Sequence, residues 1–295
     1  MNNEENLVAP LKNYDKIIPT AWLTAYPKIF TDIPLSEDIF IALEKIKAKK
    51  GEPDITSDFK VSKLAPEIEA RYKLITRILK ETNIKQALEL AAGLSPRGII
   101  FAKDPSFIYV ETDLPKMIIE KKAIIQQLVS SSKVKSMNKL YLEKGNALEL
   151  KELMRASSHF ERKPIVIINE GLLRYLNFTE KGIVAKNIHK LLEIYGGVWI
   201  TPDITLKKLL DTQNKTTMPG KNAEIIKKTG IDYTENRFEN EAEAKKFFES
   251  FGFLVEKHRF LEVEKELTSP KRLKLSEKEV KEMIKSSAVF VMKIK

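Results

Sequence analysis

The sequence predicts an α/β fold: a seven-stranded, mostly parallel sheet with helices on both faces, a helical cap at the N-terminus and an inserted lid. Three observations predict it. Short apolar runs of five to eight residues alternate with longer stretches of helical period from about residue 86 onward. Gly, Pro, Asp and Ser punctuate the junctions. Strands separated by helices imply parallel pairing, and near-continuous apolar strands imply burial on both faces.

The elements follow in order. Residues 1–16 are polar and read as a tail, and 20–49 are helical in two pieces, with Ser36 as N-cap of the second. Residues 51–58 are a loop, and Pro66 opens a strong helix that reaches Thr82. Strands are expected at 86–93, 107–113, 139–146, 163–171 and 196–204. The helices between them are expected at 115–132, 147–158 and 179–195, the last capped by Thr179. Residues 205–240 are polar and rich in Lys, Asn and Thr, and are expected to form a lid. A helix (239–252), a strand (253–260), a helix (276–287) and a final strand (288–295) complete the chain. This layout gives a tail and cap over 1–82 and a core over 83–295, with the insertion at about 205–240.

Composition narrows the function. The chain has 295 residues, 43 % of them hydrophobic and 31 % charged, an ordinary globular balance. It has no cysteine, which excludes disulfides, zinc–thiolate and iron–sulfur sites and a thiol nucleophile. Its three histidines, His159, His189 and His258, form no HxH or HxxxH pair, so no metal site is expected. No apolar run reaches the roughly 18–20 residues of a membrane span, and the first residues lack the apolar core of a secretory signal. A cytoplasmic protein without membrane partners is expected. The net charge of +10 would suit nucleic acid or an anionic substrate. Only nine of the 51 basic residues are arginine, however, and the lysines are spread along the chain without interleaved aromatics, which disfavours nucleic acid.

Ligands of open α/β sheets bind beyond the carboxyl ends of the strands, so those ends are the places to search. Glu89 and Gly93 close the first strand, in a turn that lacks the glycine set of a dinucleotide fingerprint. Asp113 ends the second strand, where a carboxylate can accept both hydroxyls of a ribose or cap the following helix. Gly145, Asn146 and Ala147 form the turn after the third strand, suited to flank an adenine or to start a helix. Glu170 follows the most apolar strand and needs a partner: a bound amine, a metal, or a neighbouring base such as Arg174. Arg71 shares a helix face with Ile68 and Ile75 and so points inward, toward Glu89, Glu170 or the carboxylate of a ligand. A ribose, an adenine, an amine and a carboxylate without a phosphate loop describe S-adenosylmethionine.

Four blocks, ARYKLITR (70–77), ALELAAGLSPR (87–97), YVETDLPKMIIEKKAII (109–125) and INEGLLRYL (168–176), occur in an order that resembles the leucine carboxyl methyltransferase-like family. That family includes polyketide-type O-methyltransferases of class I. The resemblance implies a Rossmann-like methyltransferase sheet with its last strand antiparallel, and S-adenosylmethionine as methyl donor. It implies cofactor roles for Arg71 (methionine carboxylate), Gly93, Asp113 (ribose), Asn146 and Ala147 (adenine) and Glu170 (methionine end), beside Glu89. Tyr175 falls where the family has a substrate-facing tyrosine, with Arg174 beside it as a second acceptor-positioning residue. The expected reaction is methyl transfer to a carboxylate or hydroxyl oxygen of a small-molecule or peptide acceptor, with an acidic acceptor suited to Arg174. The rival readings are a non-catalytic binding module and an RNA-modifying methyltransferase. Ala91 stands in place of a glycine, Ser95 and Pro96 precede Arg97, and Arg174 replaces an apolar residue of the family pattern.

Overall fold

A computed structural model describes residues 18–51, 62–135, 139–207 and 236–295. The expected tail, most of the 51–58 loop and most of the 205–240 lid lie outside the described residues.

Seven strands form one sheet among the described residues: β1 (Gln86–Leu90), β2 (Ile108–Asp113), β3 (Leu140–Lys144), β4 (Ile165–Asn169), β5 (Gly197–Thr201), β6 (Phe253–Arg259) and β7 (Ala288–Ile294). Their order is β3-β2-β1-β4-β5-β7-β6. The first five are parallel, and β7 runs antiparallel to both β5 and β6. The chain winds outward from β1 in one direction and then returns to β4 on its other side, so the β1/β4 border is the switch point of the sheet.

The helices are α1 (Ile18–Lys28), α2 (Ser36–Lys49), α3 (Ala65–Glu81), α4 (Arg97–Phe101), α5 (Pro115–Ser130), α6 (Leu150–Ala156), α7 (Phe178–Tyr195), α8 (Glu241–Glu249), α9 (Ser269–Arg272) and α10 (Glu277–Ile284). Alternation along each strand sends side chains to two cores. Leu88, Val110, Ile165 and Ile167 join Val184, Ile188 and Phe248 on the face covered by α6, α7 and α8. Ala87, Tyr109, Val166 and Ile168 join Leu74, Ile75, Ile78 and Ile284 on the face covered by α3 and α10. A third cluster ties Ile39, Phe40 and Leu43 of α2 to Met117, Ile124 and Leu128 of α5, which docks the cap on the sheet.

Several caps differ from expectation. α7 starts one residue before Thr179, and Asn177 closes it through a reciprocal box with Glu180. Ser36 is the first residue of α2 rather than its cap; Leu35, in a left-handed conformation, precedes it. Asn146 forms a local turn, its Oδ1 accepting from Leu148 N–H at 3.0 Å, and α6 begins only at Leu150. The 107–113 strand leads to α5 through Leu114, so Asp113 is not a helix cap. The turn after β1 leads into the short helix α4, as its strand-to-helix pattern implies, while α9 and the 3₁₀ turns at Leu173–Tyr175 and Phe260–Glu266 are additional to the expected elements.

β5 enters the sheet through two glycines. Gly197 has φ +107°, and a Cβ on it would lie 1.9 Å from the carbonyl oxygen of Ile165 in β4. Backbone cannot yield that space without breaking the pairing. Gly197→Ala should therefore cost about 3 kcal/mol or more. Chemical denaturation checks it, and an unchanged midpoint would refute it.

Candidate functional site

A cleft opens at the carboxyl ends of β1, β2 and β4. It has two chambers of about 770 Å³ and 590 Å³, counted to their mouths. They share Ala91, Asp113, Leu114, Gly171 and Tyr175 as walls. Arg71, Glu89, Gly93, Glu170 and Arg174 line the inner chamber. Gly145, Asn146 and Ala147 line the outer one. The structure thus brings every sequence-predicted site residue to one continuous cleft at the switch point.

The turn after β1 carries two left-handed residues, Ala91 at φ +51° and Gly93 at φ +50°. Gly93 is suited to that conformation; Ala91 holds it against a penalty of roughly 1–2 kcal/mol. Ala92 N–H donates to Thr112 O at 3.1 Å and Gly93 N–H to Asp113 Oδ2 at 2.7 Å, so the turn is locked to the end of β2. The other Asp113 oxygen accepts from Leu114 N–H at 2.7 Å. A carboxylate offers about four acceptor positions, so Asp113 retains room for two further donors on the cleft side. Burial pushes its pKa up, against the two backbone N–H groups that pull it down.

Behind the inner chamber runs a chain of buried charges. Arg71 Nε lies 2.9 Å from Glu170 Oε1, and Arg97 Nη2 lies 3.1 Å from Glu170 Oε2. Arg97, fully buried, also pairs with Glu89 Oε1 and lies 4.7 Å from the centre of the Tyr72 ring. Tyr109 donates to Glu89 Oε2 at 2.7 Å. Glu170 therefore finds partners in Arg71 and Arg97. Burial alone would raise the Glu170 pKa, but Arg71, Arg97 and Lys28 outweigh it and hold the carboxylate at about 2. Glu89 sits at the floor of the cleft with both oxygens engaged.

Sequence reasoning missed three residues here. Lys28 of α1 lines the inner chamber, 7 % exposed, together with Thr20, Ala21 and Thr24 of the same helix. Burial lowers its pKa to about 8, Glu170 pulls it up, and Arg71 and Arg97 add to the lowering. Arg97 was visible only as part of a motif; its place beside apolar Ile99 at a helix start was the available signal. Asp203, just past β5, had no signal of its own. It accepts from the N–H groups of Gly171, Leu172 and Leu173 at 2.8, 2.6 and 3.0 Å, and from Asn169 Nδ2 at 2.8 Å. That carboxylate folds the loop bearing Glu170, Arg174 and Tyr175.

No group of three or more metal-ligating side chains occurs among the described residues. No described helix is long and apolar enough to cross a membrane.

No family model and no curated protein matches this sequence. Solved structures do match in three dimensions. A DUF574 family protein from Streptomyces avermitilis superposes with a TM-score of 0.56 at 13 % identity, covering 94 % of this chain and 97 % of that one. Magnesium protoporphyrin IX methyltransferase from Synechocystis PCC 6803, with bound S-adenosylhomocysteine, gives 0.50 at 12 % identity, covering 87 % and 94 %. What is shared is the fold. The sheet is the Rossmann-like methyltransferase sheet.

Two substitutions test the local physics. Arg97→Met leaves Glu89 and Glu170 buried without their shared cation and should cost about 3–5 kcal/mol. Ala91→Gly releases the left-handed strain while adding chain entropy to the unfolded state, and should stabilise by up to about 1 kcal/mol. Urea denaturation of each variant reads both; a neutral Arg97→Met or a destabilised Ala91→Gly would contradict these assignments.

Proposed function

We propose that this chain is an S-adenosylmethionine-dependent O-methyltransferase, acting on a carboxylate or hydroxyl oxygen. The observation that carries the reading is the chemical sequence along one cleft. At the inner end, Lys28 and Arg71 stand beside Glu170, a setting for a zwitterionic amino-acid group. In the middle, Asp113 offers acceptor positions for a diol. At the outer end, Ala147, Leu148, Leu172 and Leu176 with the Asn146 turn offer an apolar slot edged by backbone, suited to a purine. The residues fit the donor from end to end. The fold it shares with a methyltransferase bearing S-adenosylhomocysteine supports the same reading.

In this proposal Lys28 and Arg71 hold the methionine carboxylate, Glu170 the ammonium, Asp113 the ribose hydroxyls, and the Gly145–Ala147 turn lies against the adenine. Gly93 keeps the turn close to the ligand, and Glu89 anchors the floor through Arg97. The bound donor supplies an electrophilic sulfonium methyl. The chain's part is alignment and exclusion of water, which can supply much of the rate in a single displacement. Arg174 and Tyr175, at the wall of the inner chamber, orient the acceptor. A carboxylate acceptor arrives ionised, whereas a hydroxyl acceptor must lose a proton. No histidine lines the two chambers among the described residues, and Glu170, held at about 2, is too weak a base. An acceptor oxygen already ionised at neutral pH is favoured.

Binding of S-adenosylhomocysteine tests this. At 100 times its Kd the ligand should add about 2.7 kcal/mol, a rise in Tm of about 5 °C at roughly 2 °C per kcal/mol for a chain of this size. Asp113→Ala should weaken binding at least tenfold. Lys28 is cationic below about 8 and loses its proton as pH rises through that value. Affinity should therefore fall above pH 8 in the wild type more steeply than in Lys28→Met, measured by calorimetry. A folded protein with no response to millimolar ligand would end the proposal.

A further inference from the structure

One buried cation of the inner chamber lacks a counter-ion of its own. Helix α1 turns one face to that chamber, with Thr20, Thr24 and Lys28 at four-residue spacing. The Lys28 carbonyl accepts from Thr31 N–H at 3.1 Å and from Thr31 Oγ1 at 2.6 Å, which fixes the backbone there. Its side chain is buried, and among the described residues no group hydrogen-bonds or ion-pairs with the ammonium. The carboxylates of the chamber hold other donors: Glu170 has Arg71 and Arg97, Glu89 has Arg97 and Tyr109, and Asp113 has the N–H groups of Gly93 and Leu114. The Thr24 hydroxyl donates to Ala21 O at 2.9 Å within its own helix. A buried charge left in this state costs free energy, and a lysine escapes the cost by losing its proton. Burial brings the pKa of Lys28 down to about 8, with Glu170 opposing and Arg71 and Arg97 reinforcing. At about pH 7.4 roughly a fifth of such a group is neutral, against about a thousandth of an ordinary lysine. Desolvation and neighbouring cations are the two conditions that make a lysine a nucleophile toward carbonyl carbon. Ala21, Leu94, Leu114 and Met117 line the same chamber and suit a compact hydrocarbon body.

We propose that the Lys28 amine is a covalent capture site for small aldehydes, and that capture closes the donor cleft. The nitrogen lone pair forms a bond to the carbonyl carbon. The carbonyl oxygen takes both protons of the neutral amine and leaves as water, and a C=N bond remains. Nothing is oxidised or reduced. The captured group fills the inner chamber beside Arg71 and Glu170, where the proposed function seats the methionine end of the donor. Donor and aldehyde therefore exclude one another. That exclusion rests on the methyl-transfer reading; the capture does not, and the two are measured separately.

The experiment treats the full chain at about pH 7.4 with benzaldehyde and sodium cyanoborohydride, which reduces the imine to a stable benzylamine. Peptide mass mapping follows the labelling of each lysine with time. Lys28 should be labelled at least tenfold faster than Lys45, Lys122 and Lys278, which are exposed on the same molecule. Saturating S-adenosylhomocysteine should slow Lys28 at least tenfold and leave those three lysines within twofold. Lys28→Arg, which keeps the charge but cannot give a neutral amine, should lose the fast labelling. Should Lys28→Arg fail to fold, the mapping of the wild type decides alone. Labelling of Lys28 no faster than the exposed lysines, or fast labelling that persists in folded Lys28→Arg, would overturn the capture site. S-adenosylhomocysteine that binds without protecting Lys28 would overturn the exclusion. If Lys28 is labelled fast and S-adenosylhomocysteine does not bind, the capture site stands and the methyl-transfer reading falls.

Discussion

The structure turns on the buried guanidinium of Arg97. Parallel pairing of β1 with β2 places Glu89 directly beside Glu111 on the face covered by α3. Two carboxylates side by side in a low-dielectric interior repel, and each requires a cation. Arg97 serves Glu89 and reaches on to Glu170; Lys121 of α5 stands 2.5 Å from Glu111. Burial still drives the Glu111 pKa up to about 7, with Lys121 pulling against it. One arginine thus joins β1, the loop after β4 and, through Arg71 on Glu170, helix α3. Replacing Glu89, Arg97 and Glu170 together by apolar residues would spare the desolvation cost, but it would not fix where the loop after β4 lies.

A second polar joint stands on the other side of β4. Trp199 Nε1 donates to Asn169 Oδ1 at 2.7 Å, and Asn169 Nδ2 in turn donates to Thr201 Oγ1 and Asp203 Oδ2. Asp203 then gathers three successive backbone N–H groups of the 171–173 segment. The loop after β4 is held at one end by ion pairs and at the other by this backbone capture. Its side chains enter the cleft from a rigid frame, as binding geometry requires.

The sequence shows the strands and the residues that line the cleft for the same reason: apolar runs end where polar chemistry begins. Arg71 could be placed inward because the helical period puts it on the face of Ile68 and Ile75, and the structure buries it there. Asp113 and Glu170 were found as acidic residues ending apolar strands. The remainder was hidden because it depends on partners distant in sequence. Lys28 is an ordinary lysine until α1 lies over the β1 turn. Asp203 is one more polar residue after a strand until the 171–173 segment wraps it. The caps at Asn177 and Leu35 show the same limit at short range, since neighbouring Asn, Ser and Thr residues compete to close a helix and tertiary packing selects among them.

Helix α1 has a consequence for timing. It contributes Thr20, Ala21, Thr24 and Lys28 to the inner chamber, and a Cβ on Gly93 would come within 3.7 Å of Ala21. A molecule seated there is roofed by a segment that docks through α2 and α5 rather than by the sheet itself. Its escape is tied to the lifting of that roof, so residence time follows the packing of α1 and α2 as much as the strength of the contacts in the cleft.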